Sequence, residues 1–183
     1  MDAYVYLRVA PGKVGSVLTQ LAGRQGLRRA LATVGDWDVL IQVDGPDLDT
    51  IATTVLAQIH AVEGVARTLT APAVPADRIG IGGFGTIATP TIVSGACYVH
   101  VKAQPGAAAG LVERLTEFPD VAGVAVLAGE WDLLVCVAQP WEIASGVILE
   151  QIHALPGVAS TKTLVTVAYE EPEEDRDQFS AWS

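Results

Sequence analysis

Gly35, Trp37 and Asp38, with Thr68 and Thr70 further along, are residues with which a chain could hold a small polar molecule. The same set is written again as Gly129, Trp131, Asp132, Thr161 and Thr163. A carboxylate can accept an α-ammonium group, threonine hydroxyls and turn amides can donate to an α-carboxylate, and tryptophan can form an apolar wall. The same residues also have ordinary structural uses. Asp after a turn caps backbone amides, Trp there can be core, and threonine is common on strand surfaces. No catalytic residue is assigned. His60, His100 and His153 are dispersed without zinc-like spacing, so no metal or cofactor is expected. Cys97 and Cys136 lie in apolar runs and read as reduced core residues.

The elements that must position these residues follow from periodicity. Tyr4 to Val9 alternates as a strand and stops at Pro11-Gly12. Val14, Val17, Leu18 and Leu21 form a helical stripe. Ala30 to Val34 and Trp37 to Val43 read as strands joined by a Gly35-Asp36 turn. In the second of these, Trp37, Val39, Ile41 and Val43 are expected on one face. Asp47 can cap a helix carrying Leu48, Ile51, Val55 and Ile59. Val65 to Ala71 is a fourth strand, giving the order βαββαβ.

That order then restarts. Pro11-Gly12 returns as Pro105-Gly106, Tyr4 as Tyr98, Arg8 as Lys102 and Trp37 as Trp131, at a constant offset. Past Pro140 the offset drops by one: Gln58-Ile59-His60 becomes Gln151-Ile152-His153, and Thr68-x-Thr70 becomes Thr161-x-Thr163. This is an internal duplication of about 90 residues. The expected boundaries are a first unit at 1–72, a Gly/Pro-rich linker at 73–95, a second unit at 96–168 and an acidic tail at 169–183. In the linker, Gly80, Gly82, Gly83 and Gly85 precede no helical stripe, so a phosphate-cradling loop is not expected.

Two helices cover one face of a four-stranded sheet. The other face carries Tyr4, Tyr6, Arg8, Asp38, Leu40 and Gln42 in the first copy, and Tyr98, His100, Lys102, Asp132, Leu134 and Cys136 in the second. Such semi-polar, aromatic surfaces suit an interface with polar niches. The fold class is therefore α+β, two tandem units with antiparallel sheets packed face to face, either within one chain or between chains. Cys97 falls on the helix face and Cys136 on the other, so no disulfide is expected.

The Gly-x-Trp-Asp turn, the Pro-Gly after strand one and the closing Gly-Val-x-x-Thr-x-Thr resemble the effector-binding domain of the Lrp/AsnC transcription regulators, nearly end to end in each copy. The resemblance implies ferredoxin-like units, assembly through the sheets, and an amino acid or related effector bound beside the Gly-x-aromatic-Asp turn. It implies a regulatory, non-enzymatic protein acting as a homo-oligomer or an intramolecular pseudo-dimer, or through a protein partner. Asp38→Ala and Asp132→Ala would each weaken effector binding at their own copy without unfolding it. The family's DNA-binding helices have no counterpart before the first strand, so direct reading of nucleic acid is not expected.

A formal net charge of −10 over 183 residues also repels a polyanion. Arg24, Arg28 and Arg29 read as a solvated edge. No apolar run reaches about 18 residues, so no membrane span is expected, and the cytoplasm is the default compartment. The alternative is a ferredoxin-like dimeric barrel enzyme of the small monooxygenase or heme-handling kind, in which His100 with Tyr98 or Tyr6 would act as a base or heme ligand. Against it, His100 is replaced by Tyr6 in the other copy.

Overall fold

The computed structural model describes residues 1–75 and 89–169. The glycines of the linker patch and the acidic residues from Glu170 onward lie outside the described residues. The first copy comprises β1 (Asp2–Val9), α1 (Val14–Leu21), β2 (Leu27–Val34), β3 (Val39–Asp44), α2 (Leu48–Thr54) and β4 (Val65–Val74). The second comprises β5 (Cys97–Ala103), α3 (Ala108–Thr116), β6 (Val121–Leu127), β7 (Leu133–Val137), α4 (Trp141–Gly146) and β8 (Val158–Val167). The βαββαβ order is found twice, as the periodicity requires.

Eight antiparallel strands close into one barrel in the order β1-β3-β2-β8-β5-β7-β6-β4. Each copy supplies half of the barrel. β2 joins β8 at one seam and β4 joins β6 at the other. The spare sheet faces thus meet inside a single chain, which closes every strand edge. Strands alternate in direction around the barrel, so β1 and β5 run the same way. The copies are therefore related by a pseudo-twofold axis along the barrel.

Three apolar clusters follow from strand alternation. Val5, Leu7, Val39 and Ile41 pack under α1 and α2 with Val17, Ile51 and Ile59. Val99, Val101, Leu133 and Val135 pack under α3 and α4 with Leu111, Leu115 and Ile152. Tyr4, Tyr6, Leu40, Tyr98, Leu134, Cys136 and Leu164 fill the barrel interior. Removing each fully buried Leu, Ile or Val from water contributes about 1.5–3 kcal/mol, so the two outer clusters hold the helices down. Cys97 lies in an outer cluster and Cys136 in the interior, as the alternation places them.

One end of the barrel is stoppered by the segment just before β5. The Tyr4 hydroxyl donates to the Pro90 carbonyl at 2.7 Å, and the Tyr98 hydroxyl accepts from the Val93 amide at 2.8 Å. Buried Gln42 accepts from the Ile92 amide at 3.2 Å, and Ile92 is fully buried. Thr166 ties the same segment down, accepting from the Ala96 amide and donating to the Val93 carbonyl.

Some boundaries differ from the sequence expectation. β3 begins at Val39, and Trp37 packs on the interior cluster rather than with Val39, Ile41 and Val43 on the helix side. β4 runs on to Val74 because Ala73 and Val74 pair with Leu127 and Val126 to close the barrel. β2 begins at Leu27 rather than Ala30, where Leu27 pairs with Val43. α2 and α4 each pass into a π-helical stretch, Val55–Ile59 and Val147–Ile152. Asp47 caps α2 as expected, accepting from the Thr50 amide at 2.8 Å. Arg28 is half-exposed and reaches Asp2 and Asp44 at 3.5 and 3.4 Å, whereas Arg24 donates to the Gln20 and Gln58 carbonyls, and β2 is not an edge strand because β3 and β8 flank it. Among the described residues no helix is long and apolar enough to cross a membrane.

Candidate functional site

The two Trp-Asp hairpins join strands that run in parallel on opposite sides of the axis, so both lie at the barrel end away from the stopper. There they open on one shared cavity of about 270 Å³. Its lining includes Arg8 from β1, Asp36 and Trp37 from the first hairpin, and Arg67 and Leu69 from β4. From the second copy come His100, Glu130, Trp131, Lys162, Thr163 and Leu164.

The sequence-predicted residues divide into two groups here. Trp37, Trp131 and Thr163 line the cavity. Asp38 and Asp132 hold backbone instead. The Asp38 carboxylate accepts from the Val9 amide at 2.8 Å, and Asp132 accepts from the Ala103 amide at 2.8 Å. Both amides sit at a register shift in β1 and β5, between Arg8 and Val9 and between Lys102 and Ala103. At such a shift the strand amide loses its ladder partner, and the hairpin carboxylate replaces it. This explains why Pro-Gly and Trp-Asp recur together: the aspartate completes the strand end that the Pro-Gly turn terminates. Asp38→Ala or Asp132→Ala is accordingly expected to cost about 1–3 kcal/mol in a urea titration, while the Asn variants, which keep an acceptor oxygen, lose less.

Thr68 and Thr161 also have partners on the helix side. Their hydroxyls lie 2.6 Å from Nε2 of His60 and His153. Those histidines follow the two π-helical stretches, whose wider turns carry the His60 and His153 amides to the carbonyls of Val55 and Ile148. Thr70 shares the parity of Thr68. In the Thr-x-Thr motif it is the middle residue, Leu69 or Lys162, that has interior parity. Gly35 has φ +143° and sits against β8. Gly129 has open space around it.

The cavity floor is aromatic. Tyr6 and His100 occupy related positions in the two copies and meet near the axis, with ring centroids 5.0 Å apart. Tyr6 also lies 6.0 Å from Trp37, and His100 lies 5.8 Å from Trp131. Burial holds the His100 imidazole down to a pKa of about 4, so it is neutral at pH 7. Burial pushes the Tyr6 phenol well above its ordinary range. Its hydroxyl is a buried side-chain polar atom without a hydrogen-bond partner among the described residues.

The cavity walls are charged. Lys162 bridges to Asp36 at 2.6 Å and lies 6.0 Å from the centroid of the Trp131 ring. That bridge lowers the Asp36 pKa and raises that of Lys162. Arg8 and Arg67 both lie over Trp37, at 5.9 and 5.6 Å from its ring centroid. Arg67 and Lys162 are the residues that motif reading passed over; the signal for them is interior parity on β4 and β8 at the hairpin end.

Comparison with known proteins places this geometry in context. Residues 96–176 match the Lrp/AsnC ligand binding domain. No curated protein matches the sequence. Among solved structures, the chain is similar to the siroheme decarboxylase NirDL, with a TM-score of 0.63 and 12% identity over 93% of this chain and 75% of that one. It is also similar to TTHA0845 from Thermus thermophilus, at 29% identity over 42% of this chain and 98% of that one, with a TM-score of 0.38. A third is the transcriptional regulator NMB0573 from Neisseria meningitidis in complex with L-Met, at 17% identity over 69% and 71% of the two chains, TM-score 0.36. The first of these spans nearly the whole chain and shares its fold.

Proposed function

We propose that this protein is an effector-binding regulatory module of the Lrp/AsnC type, and that an amino-acid-like molecule binds in the mouth of the barrel. The observation that carries this reading is the convergence of both tryptophan hairpins on one polar cavity. Its volume is near the lower end of the range for small-molecule sites, which suits a ligand of amino-acid size. Trp37 and Trp131 are its apolar walls. Arg8 and Arg67 can take a carboxylate, and Glu130 can take an ammonium group. The match of residues 96–176 to a ligand-binding domain supports the same reading.

The role is binding rather than catalysis. His100, the side chain that could have served as a base or heme ligand, is buried and packed at tilted angles against Tyr6 and Trp131. Ligand occupancy would be passed on through assembly or a protein partner, because the hairpins and β8 share the cavity rim.

Thermal denaturation with each of the twenty amino acids tests the proposal. One of them is expected to raise the Tm, with a stabilisation of about 2.7 kcal/mol at a hundredfold excess over Kd. Trp131→Ala should abolish that shift. A chain that responds to no amino acid, or that instead acquires a Soret band on mixing with heme, would refute it.

A further inference from the structure

We propose that the barrel mouth is a single asymmetric acid site: it takes one amino acid with an acidic side chain per chain, and Arg8 with Arg67 holds the side-chain carboxylate. This rests on the reading above that the ligand is amino-acid-like, and it names which amino acids and how many.

Arg8 and Arg67 are direct cross-strand partners in the β1–β4 ladder. Like charges placed so are mutually destabilising, although solvent screens part of the repulsion at these exposed positions. Lys162, the third cation of the rim, is bridged to Asp36, and Lys102, which stands for Arg8 in the second copy, is bridged to Asp132. Among the described residues Arg8 and Arg67 form no such bridge. Both are held over the same Trp37 ring, so their guanidinium groups are gathered at one place on the rim.

Two guanidinium forks gathered at one ring can together serve a carboxylate, which accepts up to four hydrogen bonds. The rim holds three cations against two carboxylates, Asp36 and Glu130, in a chain whose formal net charge is −10. His100 on the floor adds no charge at pH 7. A locally positive mouth in an acidic protein focuses an anionic ligand onto it.

The pseudo-twofold axis would allow two equivalent ligands, but the residues break it. In the second copy Lys102 stands for Arg8 and is tied to Asp132 at 3.2 Å, and Ser160 stands for Arg67. Conversely, Lys162 stands where the first copy has Leu69. The arginine pair therefore exists on one side only. An acidic side chain bound there leaves the ligand's α-ammonium group toward Glu130, with its body between the tryptophans.

Calorimetric titration of the full chain with glutamate, aspartate, glutamine, asparagine and inorganic phosphate tests this. Arg67→Ser is the informative variant, because Ser160 already occupies the related position in the same fold. The expected result is one acidic amino acid bound per chain, at least tenfold tighter than its amide. Arg67→Ser should weaken the acid by at least tenfold and leave the amide unchanged. An amide that binds as tightly as the acid, a stoichiometry of two, or an indifferent Arg67→Ser variant overturns the proposal while leaving the amino-acid reading intact. Binding of phosphate alone, or of none of the probes or any other amino acid, overturns both.

Discussion

Lowering the pH from 7 to 4 is expected to destabilise this fold by about 3 kcal/mol through His100 alone. An unfolded histidine titrates near pH 6.5, whereas burial holds His100 at about 4 in the folded protein. Between those values the unfolded chain binds a proton that the folded chain refuses. Stability therefore falls as the pH drops through 6.5 and levels off near 4, with a total of roughly 3 kcal/mol at 1.36 kcal/mol per unit. Urea titrations at pH 7, 5.5 and 4 measure the slope. His100→Gln should lower stability at pH 7 yet flatten that slope relative to the parent. An identical slope in both proteins would place the titration elsewhere. The Asp36–Lys162 bridge acts in a lower window: with the carboxyl depressed, its contribution is lost only as the pH falls below the ordinary carboxylate range.

Gly35→Ala is expected to be about as damaging, and far more so than Gly129→Ala. A methyl group at Gly35 would lie 2.7 Å from Leu164 Cδ2 and 3.0 Å from the Thr163 carbonyl, on a backbone with φ +143°. The leucine could shift, but the carbonyl belongs to β8 and carries the seam with it. Strain and overlap together should cost about 3 kcal/mol. At Gly129 the same methyl meets nothing within 4 Å, so only the backbone cost remains. Guanidinium denaturation of the two variants compares them directly. Equal losses would show that the contact with β8 does not matter.

Strand alternation carried most of the architecture, because a period of two is a local property. It set which face of β1, β3, β5 and β7 meets the helices, and it separated Cys97 from Cys136. It failed at Trp37 because Asp38 turns aside to bond the Val9 amide, which resets the parity just before β3. It stopped β4 short because the partner of Ala73 is Leu127, a pairing that nothing near Ala73 in the sequence announces. The candidate site was half legible. The tryptophan hairpins stood out by repetition. Arg67 and Lys162 did not, because the duplication hides them: neither is matched by a like residue in the other copy. Thr68 and Thr161 drew notice through chemistry that, in the fold, engages His60 and His153.

The two joints between the half-barrels are narrow. Among the described residues one pairs Ala32, Thr33 and Val34 with Val167, Thr166 and Val165, and the other pairs Ala73 and Val74 with Leu127 and Val126, with one more bond from the Ala128 amide to the Pro72 carbonyl. Each half keeps its own helices and its own apolar cluster. At high concentration, two molecules that part along these joints can exchange halves and re-form the same barrels as an intertwined pair, with every interior contact restored.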